Sequence, residues 1–154
     1  MMKKAGAWRK VLSWLPALAI YAVICWFSAQ PSEISNTQSA AVTDWIGFPE
    51  WATTLVRKLA HVSLFSFLGA ATGFAWYRCD RDEPKRSGRI VLRAAALCAA
   101  LAALDEFHQY FVPGRAALIG DVLLDTASAA LGALCVAKIA QKCGAQSKKR
   151  AKNR

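Results

Sequence analysis

Four apolar runs, separated by polar or charged stretches, divide the chain: Val11 to Ala29, Leu55 to Tyr77, Ile90 to Leu104, and about Leu118 to Ile139. A membrane-spanning helix needs about 20 predominantly apolar residues. The first, second and fourth runs meet that length. The third supplies only 15 residues before Asp105, so Asp105, Glu106, His108 and Gln109 are expected in its last turns, at or just below the membrane interface. The pattern predicts an all-α polytopic membrane protein, a four-transmembrane-helix bundle with an outer interfacial loop segment over Gln30 to Thr54. Pro31 and Pro49 break that segment, and Trp45, Phe48 and Trp51 give it an aromatic character suited to a membrane surface. Phe27-Ser28-Ala29 also resembles a signal-peptide end, but the run is long and rich in tryptophan for an h-region, and a retained span is the expectation.

The interruptions carry the chemistry. Asp105 and Gln109 are four apart and share a helix face, with His108 beside them. Val112-Pro113-Gly114-Arg115 then breaks the helix. Asp121 and Asp125 lie one turn apart at the start of the fourth run, and Ser128 and Gly132 continue that face. In the second run Lys58 and His61 are three apart. The bland alternative for Arg57 and Lys58 is snorkelling at a span end, whereas His61 lies deeper. Gly69 and Gly73 form a GxxxG suited to close helix packing.

Composition changes the picture in one respect. The chain is 55% hydrophobic yet carries a formal net charge of +10. The basic residues fall in three blocks: Lys3, Lys4, Arg9 and Lys10; Arg78 to Arg93; and Lys138 to Arg154. They segregate between and beyond the apolar runs and line no recognition helix, which argues against a soluble nucleic-acid-binding role. Under the positive-inside rule all three blocks are cytoplasmic, and so are both termini. The five cysteines show no CxxC spacing and read as packing residues. Residues 143–154 form a basic tail, expected to be disordered and to touch anionic lipid head groups.

That topology brings the polar residues to one side. Lys58, His61, Asp105, Glu106, Gln109, Arg115, Asp121 and Asp125 all fall in the outer leaflet, where they are expected to form a polar pocket. Lys58 and Arg115 are the candidates for binding phosphate or carboxylate. A charge at the centre of a span costs roughly 2.5–3.5 kcal/mol on insertion scales, so such a cluster marks a site or a packing network.

The residues resemble the VanZ-like family of small bacterial membrane proteins. The resemblance rests on Phe27-Ser28-Ala29-Gln30-Pro31-Ser32, on Lys58-Leu59-Ala60-His61 with Phe65 and Gly69, and on Asp105-Glu106-Phe107-His108-Gln109 with Pro113-Gly114-Arg115 and Asp121. It implies a VanZ-like transmembrane domain over residues 1–142, in the bacterial cytoplasmic membrane. Its namesake is associated with teicoplanin resistance, which implies a cell-envelope role. This chain departs from the family in carrying Asp125 and Ser128 where asparagine and glycine are usual.

Three functions fit these residues. The pocket could bind a cell-envelope lipid head group or a lipid-linked wall precursor. It could belong to a hydrolase or transferase, with Asp105 or Glu106 as general base, His61 or His108 as proton shuttle and Arg115 stabilising developing charge. It could serve a proton-coupled transporter, alone or as an oligomer. No recognised metal motif or cofactor fingerprint is present, and the sequence assigns neither a catalytic residue nor a cofactor.

Overall fold

A computed structural model describes residues 8–47, 49–79 and 87–152, with residue 50 and residues 144–152 described through their backbone only. These residues form five α-helices: α1 (Leu15–Ser28), α2 (Ser32–Ile46), α3 (Thr53–Cys79), α4 (Ser87–Gln109) and α5 (Ile119–Lys152), with a 3-10 turn at Glu50–Ala52. Of the three basic blocks, Lys3, Lys4, Arg81, Lys85, Arg86 and Arg154 lie outside the described residues, as does Phe48 of the aromatic segment. Helical backbone begins at Trp8, is interrupted by a turn at Ser13 and Trp14, and resumes at Leu15. Pro16 accounts for the interruption, because it has no N–H to donate and its ring crowds the preceding turn.

Three helical stretches are long and apolar enough to cross a membrane: Trp8–Ser28, Thr53–Cys79 and Ile119–Cys143. The third expected span, α4, is not among them. It has 23 residues, but Arg89 and Arg93 lie near its start and Asp105 and Glu106 near its end. It still runs the length of the bundle. Gln141 of α5 donates to Ser87 Oγ at one end, and Ser28 of α1 donates to Asp105 at the other. α1 and α4 run one way and α3 and α5 the other, an up-down arrangement with α2 inserted after the first helix. The helical backbone of α5 continues into the basic tail as far as Lys152.

The bundle is filled with small residues and faced with large apolar ones. Ala17, Ala75, Ala94, Ala102, Ala129 and Ala133 are buried around Ile24, Phe65 and Leu68. Leu18, Phe67, Leu92, Leu123, Leu131 and Ile139 are exposed. A soluble protein rarely presents so continuous an apolar exterior. Helices in lipid associate through close packing of small side chains instead.

The tightest packing joins α3 and α5. A Cβ placed on Gly69 would fall on the Ala129 carbonyl, and one on Gly132 would fall on the Ser66 carbonyl. Neither backbone can give way without separating the helices. Gly69→Ala is therefore expected to destabilise the protein by about 1–3 kcal/mol, the usual cost of overpacking. Gly120→Ala, which meets nothing within 4 Å, is the control. Thermal unfolding of both variants in detergent micelles checks the difference.

The segment after the first span is not a loop. Ser32–Ile46 is helical, and its buried face is Ser35, Ser39 and Thr43. The hydroxyls of Ser39 and Thr43 bond within their own helix, Ser39 to the Ser35 carbonyl at 2.9 Å and Thr43 to the Ala40 carbonyl at 2.8 Å. Ile34, Val42, Trp45 and Ile46 are exposed. Apart from Val42, which borders a small cavity shared with α1 and α3, these apolar residues face away from the protein, and the inward stripe is polar, so no conventional hydrophobic periodicity announces the helix.

Candidate functional site

The end of the bundle where α1 and α4 finish and α3 and α5 begin carries the polar residues. α4 points Asp105, Glu106 and Gln109 inward, all buried, while Phe107 and His108 are exposed. The chain then turns through Pro113 and Gly114. Gly114 has a φ of 73°, which a residue without Cβ adopts most readily. A side chain there would also collide with Ser32. This turn is pinned to the start of α2, since the Ser32 N–H donates to the Pro113 carbonyl at 3.2 Å.

Asp105 is 2% exposed. Its Oδ2 accepts from Ser28 Oγ and from Gln109 Nε2, both at 2.8 Å. Its Oδ1 is buried without a hydrogen-bond partner. Gln109 passes the interaction on, because its Oε1 accepts from Arg115 Nη1 at 3.1 Å. Arg115 also donates from Nε to the Gln30 carbonyl at 3.0 Å and from Nη2 to the Phe27 carbonyl at 3.1 Å. Those carbonyls belong to the end of α1, where helical C=O groups lack intrahelical donors and a cation is favourable. One guanidinium therefore joins α1, α4 and the turn before α5.

Glu106 acts at the other side of that turn. Its Oε2 accepts from the Leu118 N–H at 2.8 Å, satisfying a donor just before α5 begins. Asp121 follows in the first turn of α5 and pairs with Lys58 Nζ at 3.0 Å. Their side chains are 45% and 30% exposed for Lys58 and Asp121, so the pair contributes little stability. One turn deeper, Asp125 Oδ2 lies 3.8 Å from His61 Nδ1, too far for a normal hydrogen bond. His61 is thus the basic side chain that approaches Asp125. Ser128, one turn further on, is buried and donates to the Leu124 carbonyl at 2.8 Å.

These residues surround a cavity of about 310 Å³. Lys58, His61, Glu106, Gln109, Arg115, Asp121 and Asp125 all line it. Asp105 sits behind the wall, bonded to Gln109. His108 does not line it. Arg57 does, although sequence reasoning set it aside as a snorkelling residue. Its Nη1 donates to Asn36 Oδ1 of α2 at 3.1 Å. The three-residue spacing to His61 singled out Lys58, and nothing local marked Arg57.

The balance of charge is uneven. Among the described residues, Lys58 and His61 have carboxylate partners. Arg57 and Arg115 are bonded only to neutral oxygen atoms. Burial, and then the like charge of Arg57, lower the pKa of Arg115 from its ordinary value, while Asp105 and Glu106 oppose the shift. A guanidinium stays protonated through such a shift. The cavity therefore contains two cations without an anionic partner among the described residues. No three His, Cys, Asp or Glu side chains among the described residues gather into a metal-binding group.

No curated protein and no solved structure matches the chain. A sequence model of the VanZ/LLP1 family matches residues 13–141, which takes in every residue that lines the cavity. The chain belongs to the VanZ/LLP1 family, and it does so as a helical protein with membrane-spanning character.

Proposed function

We propose that the cavity binds the anionic head group of a cell-envelope lipid or lipid-linked wall precursor, in an accessory role related to glycopeptide resistance. The observation that carries this reading is the pair of guanidiniums, Arg57 and Arg115, which share one cavity and have no carboxylate partner among the described residues. Guanidiniums favour phosphate and carboxylate because their forked N–H groups match those anions. Charge placement along the chain supports an outward-facing cavity in the cytoplasmic membrane, with both termini cytoplasmic.

Two measurements test this. In whole cells of a variant with Ala116 replaced by cysteine, a membrane-impermeant maleimide labels position 116 and leaves Cys143 unlabelled until the cells are opened. Deletion of the gene changes sensitivity to teicoplanin or the composition of envelope lipids, and the Arg57→Ala protein fails to restore it. Labelling of Cys143 from outside, or full rescue by Arg57→Ala, contradicts the reading.

A further inference from the structure

We propose that the ligand is a zwitterionic phospholipid of the phosphatidylethanolamine class. Its phosphodiester lies against Arg57 and Arg115, its ammonium against Glu106 and Asp125, and one hydrocarbon chain enters a second cavity beside the first. This rests on the anion-binding reading above and narrows it.

The second cavity has a volume of about 170 Å³. Its apolar lining comes from Ile24, Phe27, Val42, Val56, Ala60 and Leu64, on α1, α2 and α3. An apolar cavity of about 150 Å³ accommodates benzene, so this one holds a short length of hydrocarbon, with the remainder in the bilayer. Ser35, Gln38 and Ser39 of α2 add polar groups to the lining, and no carboxylate among the described residues lines it. Arg57, His61 and Arg115 line both cavities. The chemical order is therefore apolar, then cationic, then acidic. A phospholipid bearing a terminal amine has the complementary order of chain, phosphate and ammonium.

Charge counting gives the same answer. Lys58 and Asp121 pair with each other. Besides that pair, the first cavity is lined by two guanidiniums, by Glu106, and by Asp125 with His61 3.8 Å away, and no salt bridge among the described residues joins the guanidiniums to these carboxylates. Glu106 Oε2 is engaged by the Leu118 N–H. Asp125 has only the 3.8 Å approach of His61. A purely anionic head group would neutralise the arginines and repel these carboxylates. A zwitterion satisfies both, which is how a site discriminates between head groups that share a phosphate.

The probes are lysophosphatidylethanolamine, lysophosphatidylglycerol of the same chain length, and dodecyl phosphate, each titrated against the full-length protein in maltoside micelles. The ethanolamine lipid is expected to bind about tenfold more tightly than the glycerol lipid, despite its lower net negative charge and the protein's positive one. Asp125→Asn and Glu106→Gln each erode that margin without weakening the glycerol lipid. Ala60→Phe, at an exposed position on the apolar cavity, weakens both lysolipids. Equal binding of the two lysolipids, or a margin that survives both carboxylate variants, overturns the ammonium assignment and leaves anion binding standing. Absence of saturable binding by all three probes overturns this proposal together with the anion-binding reading.

Discussion

Arg115→Ala is expected to lower the stability of the protein by about 2–4 kcal/mol and to weaken anionic amphiphile binding by at least about tenfold, from the cost of losing charge-assisted hydrogen bonds around a half-buried cation. The residue donates to two carbonyls at the end of α1 and to the Gln109 side chain. Truncation leaves all three acceptors without that donor. It also frees Gln109, which holds the buried carboxylate of Asp105. Arg115→Lys keeps the charge but cannot reach three acceptors with one fork. It is expected to recover part of the binding and less of the stability. Thermal unfolding in micelles, with dodecyl phosphate titrations at a temperature where each variant is folded, separates the two losses.

Arg57→Ala is expected to show the opposite division. Its one hydrogen bond, to Asn36, is exposed, so the change in stability should stay within about 0.5 kcal/mol. Affinity for dodecyl phosphate should fall about 10- to 100-fold, because a hydrogen bond to a charged group contributes about 1.5–3 kcal/mol. Equal affinities of wild type and variant would remove Arg57 from the site. A large loss of stability would instead make it a tether between α2 and α3.

The sequence showed the bundle because its signals are long and repetitive. Apolar runs near bilayer length and basic blocks between them specify helices and their order. It also singled out seven of the residues that line the cavity, since a charge close to an apolar run needs a reason for being there. Three features were not legible. The helix α2 turns Ser35, Ser39 and Thr43 inward, and small hydroxyl residues imitate a loop when read by hydropathy. Arg57 bonds to Asn36 through the fold of α2 against α3, a contact that no local pattern encodes. The roles of Glu106 and Arg115 as partners of helix ends follow from backbone groups in another segment, Leu118 for one and Phe27 and Gln30 for the other. His108 shows the reverse case. Its neighbours placed it with the cluster, but three residues after Asp105 it emerges on the exposed side of α4.

The central claim is that side chains distant in sequence act on one bound head group. A double-mutant cycle between Arg57→Ala and Arg115→Lys, read as dodecyl phosphate affinity, tests it most directly. Two guanidiniums on one phosphate should be coupled by about 0.5–3 kcal/mol, with the double variant departing from the product of the single effects. Strict additivity would mean that the two arginines do not share a ligand, and the cavity would then be a packing feature of the bundle.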